Sequence, residues 1–274
     1  MLTINEMNKK AIKLRLKVLD IVYNAKGGHI GGDMSSIDIF TSLYYGFLNI
    51  DKNNQNDPKR DKFVLSKGHC VEAYYSVLND LGFISDEELA TYSKFKSNLI
   101  GHPSNKVPGI EFNTGALGHG LSVGVGMAIG AKKCGFESKI CVLMGDGELA
   151  EGSVWEAAMA ASHYKLDNLI AIIDRNGLQI SGSTEKVMSQ EDLANRWTAF
   201  GFSTVVVEGH DIGAILDALN NRVKGKPTAI IAKTVKGRGV SFMENQAAWH
   251  HKVPTAEQYE QAKAELNQKL EAIA

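Results

Sequence analysis

Residues 140–176 have the sequence ICVLMGDGELAEGSVWEAAMAASHYKLDNLIAIIDRN, which contains the clearest fold signal of the chain. Two runs of consecutive apolar residues, Ile140–Met144 and Leu169–Ile173, enclose a segment that is long enough for one helix. Continuous apolar runs are typical of strands that are buried on both faces of a parallel sheet. Since parallel neighbours need a crossover connection, the stretch predicts a strand–helix–strand unit with its helix at about Ser153–Tyr164.

The same pattern continues towards the C-terminus. Two further apolar runs, Thr204–Val207 and Ala229–Ala232, alternate with helical patterns at about Glu191–Phe200 and Ile212–Val223. Strands that alternate with helices indicate right-handed crossovers. We therefore predict an α/β fold, namely a doubly wound, mainly parallel sheet with helices on both faces. A further helix is expected at about residues 255–272.

The N-terminal third, about residues 1–110, shows helical periodicity instead. Two of its segments, Ser35-x-x-Asp38 and Ser85-x-x-Glu88, have the spacing of capping boxes, which open helices. We predict that this third is mostly helical. The chain has 274 residues, a length at which α/β proteins often form one domain. A single α/β domain over residues 1–274 is the expected organisation.

Composition excludes several classes of protein. Hydrophobic residues make up 44% and charged residues 22%, and 31 acidic residues face 30 basic ones. This balance gives no excess of basic residues, which binding to nucleic acid or to an anionic membrane surface would require. The uncharged stretch Phe112–Ala131 contains six glycines and is too polar for a membrane span. No signal peptide is recognisable, and three cysteines without CxxC spacing favour a reducing compartment, so we expect a cytoplasmic protein.

Polar residues follow the first two predicted strands directly, as Gly145-Asp146-Gly147 and Asp174-Arg175-Asn176. Because the carboxyl ends of parallel strands share one edge, Asp146 and Asn176 are expected within reach of one ion. Carboxylate and amide oxygens suit Mg²⁺ or Ca²⁺, and magnesium usually adds water and phosphate oxygens to its shell. Gly147 and Gly152 would bring backbone N–H groups close to a phosphate. The sequence therefore predicts a diphosphate held by a metal.

Other interpretations stay open on the residues alone. Gly-Asp-Gly and Asn-Gly are also common in ordinary turns at strand ends. A nicotinamide dinucleotide fits less well, because the glycines at positions 115, 118, 120 and 124 do not complete the pattern G-x-G-x-x-G. The polar loop Asp51–Asp57 lacks the third ligand and the glycine of an EF-hand, so we interpret it as a solvated connection.

Gly-Asp-Gly followed at this distance by an asparagine at a strand end resembles the signature of thiamine-diphosphate enzymes. Over nearly its whole length the chain is similar to the N-terminal, diphosphate-binding section of transketolase. The matching segments, in order, are Gly27–Gly32, Ser66–His69, Gly101–Pro103, Asn113–Gly120 and Leu149–Gly152. The resemblance implies the same fold, with thiamine diphosphate and Mg²⁺ as cofactors and Ca²⁺ or Mn²⁺ as substitutes for Mg²⁺.

The resemblance also implies how the cofactor is held. Asp146, Asn176 and the backbone carbonyl of Leu178 would coordinate the metal. The implied cofactor-binding residues are His69, Gly147, Asn176 and His250 at the diphosphate, and the backbone of Gly115 and Leu117 at the aminopyrimidine.

The residues implied in the reaction are His29, His102, His250 and Glu151. His29 and His102 would line the side of the reacting carbon and hold sugar hydroxyls. Histidine suits this task because its pKa is near neutral and its two nitrogens bond in two directions. His250 would help bind diphosphate and shuttle a proton, although the motif does not separate it from His251. Glu151 would lie near a dimer interface, and without the resemblance it is an ordinary first-turn acid.

The pyrimidine-binding domain of transketolase has no counterpart before the chain ends at Ala274. The resemblance therefore implies the N-terminal subunit of a split enzyme, paired with a separate C-terminal subunit that carries the pyrimidine-binding domain. Two copies of each chain are expected in the assembly. The implied reaction transfers a two-carbon ketol group from a ketose, expected to be a phosphate, to an aldose. The identity of both sugars stays open, since the residues that bind their far ends belong to the partner.

Two alternatives remain. Deoxyxylulose-phosphate synthase and the α subunit of 2-oxo-acid dehydrogenases share the Gly-Asp-Gly…Asn element, but the matches at His29, His69 and His102 favour transketolase. A protein of a different class, a non-catalytic subunit that keeps the cofactor site without turnover, would have the same motifs. Activity after mixing with a partner subunit would distinguish this class from an enzyme.

Overall fold

A computed structural model of the protein describes residues 2–273. Its strands are β1 Lys62–Leu65, β2 Ile140–Gly145, β3 Leu169–Arg175, β4 Leu178–Gln179, β5 Gly182–Ser183, β6 Ser203–Glu208 and β7 Thr228–Lys233. Five of them form an all-parallel sheet in the order β1-β2-β3-β7-β6. The short strands β4 and β5 pair as a separate antiparallel hairpin.

The α-helices of the described chain lie between and around these strands. They are α1 Ile4–Ala25, α2 Ile30–Ser42, α3 Val71–Asp80, α4 Asp86–Leu89, α5 Gly120–Lys133, α6 Gly152–His163, α7 Thr184–Val187, α8 Leu193–Ala199, α9 Ile212–Asn220 and α10 Ala256–Glu271. One apolar core joins the sheet to α1, α2, α3, α9 and α10, and the other joins it to α5, α6 and α8.

Alternate residues of each central strand enter the two cores. In β3, Ile170 and Ile172 belong to the first core, and Ala171 and Ile173 belong to the second. All four side chains are fully buried, because successive side chains of a strand point to opposite faces and both faces are covered by helices. This arrangement confirms the predicted doubly wound α/β fold.

The predicted helices are present with small shifts at their ends. The helix predicted at Glu191–Phe200 begins later, at Leu193, because the side chain of Asp192 caps it by accepting two backbone N–H bonds. The Ser85–Glu88 capping box is confirmed, with reciprocal bonds of 2.9 and 3.2 Å. Within residues 2–273, no helix combines the length and the apolar character that a bilayer crossing requires.

Two sequence-based expectations were wrong, and one strand was missed. The N-terminal third is mostly helical but also contains the strand β1, whose four residues are too few to show a period among helical patterns. Ser35 does not cap a helix: it lies inside α2, where its hydroxyl donates to the carbonyl of Gly32. The strand at Thr204–Val207 is not buried on both faces, because β6 is an edge strand and exposes Val206.

Candidate functional site

Polar residues lie just beyond the carboxyl ends of four parallel strands: Lys67 after β1, Asp146 after β2, Asn176 after β3 and Lys236 after β7. All four line one cavity of about 210 Å³. Its other lining residues are His69, Gly115, Leu117, Gly145, Gly147, Glu148, Leu178, Gln179, Ile180 and His250. The parallel sheet therefore brings residues from distant parts of the chain to one place, at the edge where open α/β folds bind ligands.

Asp146 forms the acidic side of the cavity. It is 1% exposed, and its Oδ1 accepts from the backbone N–H of Gly147 at 2.9 Å. Its Oδ2 accepts from the N–H of Gly177 at 2.6 Å and from the Arg175 guanidinium at 3.1 Å. Burial, together with the nearby Asp174, raises the pKa of the Asp146 carboxyl above its ordinary value, against the effect of these two donors.

Asn176 and Leu178 lie beside Asp146 along the same cavity wall. The Asn176 Oδ1 accepts from the N–H of Leu178 at 3.1 Å, and its Nδ2 donates to Asp174 at 3.1 Å. Residues 2–273 hold no group of three or more His, Cys, Asp or Glu side chains arranged for a metal. The predicted set is of another kind, since it combines one carboxylate, one amide oxygen and one backbone carbonyl, all of which suit a hard cation.

Two lysines, each 1% exposed, form the cationic side of the cavity, and they differ in their partners. Lys67 forms an ion pair with Asp174 and donates to Ser36 Oγ at 3.0 Å. Although burial opposes it, the Asp174 carboxylate holds the pKa of Lys67 above its ordinary value. The ammonium of Lys236 makes no hydrogen bond or ion pair with the part of the chain that the structure describes. Burial, with Lys67 nearby, lowers the pKa of Lys236.

Five histidines from four segments of the chain form a cluster with His29 at its centre. The centroid of its ring lies 5.5 Å from that of His69, 6.0 Å from His102, 5.7 Å from His250 and 4.6 Å from His251. Burial and neighbouring charges lower the pKa of His29 to about 4 and that of His250 to about 3. Both imidazoles are therefore neutral at pH 7, and the buried Nδ1 of each has no hydrogen-bond partner.

The structure distinguishes the two adjacent histidines that the sequence could not. His250 is partly buried, lines the cavity together with Asp146, and stacks on His69 at 5.1 Å. His251 is exposed and contacts the ring of His29 instead. Of the two, His250 alone lines the cavity.

The loop with Gly115 and Leu117 is held against the strand ends. Gly115 has φ +154°, and a Cβ there would lie 3.2 Å from the ring of His102. The buried carboxylate of Glu148 accepts from the Ser66 hydroxyl and from two backbone N–H groups, those of Gly118 at 2.8 Å and Gly145 at 3.1 Å. Glu148 therefore ties this loop to the ends of β1 and β2.

Not every predicted site residue lies on the cavity wall. His29 and His102 belong to the histidine cluster without lining the cavity. Glu151 is exposed at the start of α6, next to Gly118, where a Cβ on that glycine would lie 2.6 Å from the Cβ of Glu151. Gly152 begins α6 and lies outside the cavity lining as well.

The sequence analysis missed three charged cavity residues: Lys67, Glu148 and Lys236. Glu148 and Lys236 carry the same signal that identified Asp146, a polar residue shortly after a predicted apolar run. Extended to the fourth residue after each predicted run, that rule would have found both. Lys67 had no such signal, because it follows β1, which the sequence analysis did not predict.

The donors and acceptors of the cavity fit a metal-bound diphosphate. The unpaired ammonium of Lys236 and the unpartnered Nδ1 of His250 suit an anion in the cavity. Polar groups that are largely removed from bulk water need a hydrogen-bond or charge partner. The oxygens of Asp146, Asn176 and Leu178 suit a hard cation in the same cavity.

Comparison with known proteins gives a consistent result. A family model described as the thiamine diphosphate binding domain of transketolase matches residues 7–272. One of the subunits of the apulose-4-phosphate transketolase of Phocaeicola vulgatus is 53% identical over 263 residues, which cover 95% of this chain and 94% of that protein. The corresponding protein from Actinobacillus succinogenes, which has the same name, is 47% identical over 268 residues, or 97% of each chain. The solved transketolase of Campylobacter jejuni matches with a TM-score of 0.91 and 33% identity, over 97% of this chain and 43% of that one. The chain thus spans nearly the whole of the two relatives and less than half of the solved transketolase.

Proposed function

Because the chain belongs to the transketolase family, we propose that it is the N-terminal subunit of a two-chain transketolase, which transfers a two-carbon ketol group from a ketose to an aldose. One observation carries the proposal: polar residues after four parallel strands meet in one cavity, which both oxygen ligands and buried cationic groups line. In this proposal, residues 1–274 act as one diphosphate-binding domain.

The oxygen ligands would hold Mg²⁺, through Asp146, Asn176 and the backbone carbonyl of Leu178. Ca²⁺ and Mn²⁺ are expected to replace Mg²⁺, because the same hard oxygen ligands suit them. The metal would anchor the diphosphate, whose oxygens complete its coordination shell.

The cationic and imidazole groups would hold the cofactor, and they come from three segments of the chain. Lys236, His69 and His250 face the cavity together with the backbone of Gly147. A bound diphosphate would supply the counter-charge that Lys236 lacks, and it would raise the pKa of His250, since nearby negative charge favours the imidazolium. The backbone of Gly115 and Leu117, on the loop above, would contact the aminopyrimidine.

Thiamine diphosphate, when bound, supplies the electron sink for cleavage of the carbon–carbon bond beside the ketose carbonyl. The residues of this chain would orient the sugar and move protons. Neutral His29 and His102 can each donate one hydrogen bond and accept another from sugar hydroxyls. His250, whose neutral ring lines the cavity, would exchange a proton with the sugar carbonyl oxygen.

The partner in this proposal is a C-terminal subunit that carries the pyrimidine-binding domain, in a heterotetramer with two copies of each chain. The surface beside the cavity supports a partner. Ile180 lines the cavity and is 72% exposed, and Val187 and Met188, which follow the β4–β5 hairpin, are 43% and 59% exposed. Several large apolar side chains exposed within one short stretch of chain favour an interaction surface. The exposed Glu151 would face another chain of the assembly.

The proposed donor is a ketose phosphate. The relatives from Phocaeicola vulgatus and Actinobacillus succinogenes, which align with nearly the full chain, are both named for apulose-4-phosphate. We therefore expect the assembled enzyme to accept apulose-4-phosphate, and a panel of ketose phosphates assayed at equal concentration would rank it against other donors.

We also propose that the enzyme works in the cytoplasm. Its cysteines, Cys70, Cys134 and Cys141, are free thiols, and Cys134 is exposed. Such thiols persist in a reducing compartment, whereas secretory compartments favour disulfides.

The proposed function is tested by calorimetry and an activity assay on the chain with and without its C-terminal partner. We expect weak binding of thiamine diphosphate with Mg²⁺ by the chain alone, and tight binding with ketol transfer after the partner is added. Cofactor binding at an interface is linked to assembly, which is the reason for this expectation.

The other outcomes separate the alternatives. Tight binding by the chain alone, with no activity from the mixture, would identify a non-catalytic cofactor-binding subunit. Turnover of a 2-oxo acid in place of a ketose would indicate a deoxyxylulose-phosphate synthase or a 2-oxo-acid dehydrogenase. No binding in either sample would remove the metal–diphosphate site.

A further inference from the structure

Beneath the histidine cluster, two acidic side chains are buried against each other. Asp33 lies in the first turn of α2 and Glu72 in the first turn of α3, and both are 0% exposed. Their carboxyl groups are in hydrogen-bond contact. Two ionised carboxylates in such a place would be desolvated and would repel each other, so the full charge of the pair is strongly disfavoured.

The hydrogen bonds around the pair account for only two of its four oxygens. Asp33 Oδ1 accepts from the backbone N–H of Ala73 at 2.9 Å. Glu72 Oε1 accepts from the Tyr92 hydroxyl at 2.6 Å and from the backbone N–H of His29 at 3.3 Å. The remaining oxygens, Asp33 Oδ2 and Glu72 Oε2, are buried and receive no donor. One proton between them satisfies both oxygens at once.

No cation of the described chain is available to neutralise the pair. The lysine whose charge acts on Asp33 is Lys67, and its ammonium is paired with Asp174. The titratable or charged groups that face the pair from the surrounding elements are His29, Lys67, Cys70, Tyr75 and Tyr92. Burial and the neighbouring Glu72 raise the pKa of Asp33, and burial raises the pKa of Glu72 to about 7.

The pair connects the two helix starts that carry active-site histidines. His29 is the residue before α2, and its N–H is bonded to Glu72 of α3. His69 lies in the short turn before α3, whose first turn is capped by Asp33 through Ala73. The backbone before His29 packs closely against Glu72, since a Cβ on Gly28 would lie 2.5 Å from Glu72 Oε1.

We propose that Asp33 and Glu72 share a single proton, and that this pair is a positioning element that sets the distance between His29 and His69, whose rings lie 5.5 Å apart. The positioning part rests on the proposed function, which assigns these histidines to sugar and cofactor. The shared proton rests on the structure alone.

A set of amide substitutions tests the shared proton. In Asp33→Asn, the new N–H₂ replaces the shared proton and donates to Glu72, and in Glu72→Gln the donor comes from the other side. Each single variant therefore keeps one donor between the two groups. In the double variant Asp33→Asn/Glu72→Gln two N–H₂ groups face each other. Rotating either amide by half a turn would instead place its N–H₂ group against another donor, the N–H of Ala73 or the hydroxyl of Tyr92.

We expect each single variant to lose less than about 3 °C in unfolding temperature and the double variant to lose about 5 °C or more, more than the two single losses together. A double variant as stable as either single one would show that no proton is shared. Carboxyl ¹³C shifts of the unmodified, labelled protein give a test without variants. At pH 8, above the pKa of Glu72, we expect one carboxyl of the pair to have the shift of a protonated acid. Two ionised signals or two protonated signals would overturn the proposal.

The positioning part is tested in the assembled enzyme with saturating cofactor, at a temperature where every variant is folded. We expect the donor KM to change less than about threefold in the single variants and to rise about tenfold or more in the double variant. An unchanged KM in the double variant would overturn the positioning role. If the unmodified assembly transfers no ketol group, the proposed function fails, and the stability and ¹³C results still decide whether the proton is shared.

Discussion

The acidic and the cationic groups of the cavity differ in how the folded chain satisfies them. Among the acidic groups, Asp146 accepts three hydrogen bonds from its own chain. Among the cationic and imidazole groups, the Lys236 ammonium and the Nδ1 of His250 have no partner in the described chain. Folding therefore supplies the partners of Asp146, whereas it leaves Lys236 with a charge that a bound anion would pair. Binding function is concentrated where folding leaves polar groups unsatisfied at a cost in stability.

The largest expected effect is on stability, at the two buried lysines, of which one has an ion-pair partner and the other has none. Lys67→Met leaves the Asp174 carboxylate buried without its ion-pair partner, and we expect a loss of about 3–5 kcal/mol in the free energy of unfolding. Denaturant titration of the unbound chain measures this loss. The matched control is Lys236→Met, the same change at an equally buried lysine without a partner. Equal losses in both variants would contradict the distinction between paired and unpaired lysines.

Asp146→Asn removes the only charged oxygen of the predicted metal set. We expect thiamine diphosphate to bind about 100-fold more weakly in the presence of Mg²⁺, because the amide keeps the shape of the side chain and loses the charge. Calorimetry on the assembled enzyme measures the affinity. Glu185→Gln is a suitable control, since Glu185 also pairs with Arg175 but lies outside the cavity lining. An unchanged affinity in Asp146→Asn would remove Asp146 from the metal site.

Lys236→Met should change stability and binding in opposite directions. Without its unpaired charge the unbound chain is expected to gain about 1 kcal/mol in the free energy of unfolding, because a buried ammonium is replaced by an apolar side chain of similar length. Cofactor affinity should fall about tenfold, as one charge-assisted bond to the diphosphate is lost. Parallel measurements of unfolding and of cofactor binding test both signs. A variant that loses stability would show that Lys236 has a partner in the folded chain.

The smallest expected effect concerns the pH dependence of the histidines. The pKa values of His29 and His250 in the folded chain are about 4 and about 3, below the ordinary value of about 6.5. The unfolded chain then binds more protons below pH 6.5, so the stability that these groups contribute is present above that pH and is lost as the pH falls through 4 to 3.

Denaturant unfolding between pH 7 and pH 4 measures this dependence. His250→Gln should flatten it, and the exposed His163→Gln should leave it unchanged. Titration of either ring near pH 6.5, followed by NMR of the unbound chain, would contradict the assignment of both as neutral groups.

Much of the fold and two of the four strand-end residues of the cavity follow from one sequence pattern. Apolar runs predicted β2, β3 and β7, and the residues after the first two runs predicted Asp146 and Asn176 at one edge. The pattern failed at β1, where four residues are too short to show a period, and with it Lys67 was missed. The histidines entered the prediction only through the resemblance to transketolase, because no local pattern distinguishes a histidine of this cluster from one on the surface.

The sequence shows that β2, β3 and β7 are buried strands and at which edge of the sheet their polar ends lie. That information is local, since it depends on side-chain polarity and on the direction of each strand. Which polar groups find partners is visible only in the packed structure. Lys67 is neutralised by Asp174, 107 residues later in the chain, while Lys236 remains unpaired beside the same cavity. Asp33 meets Glu72 in the same way, through the packing of α2 on α3. Such pairings depend on distances between elements far apart in the chain, and therefore no window of sequence contains them.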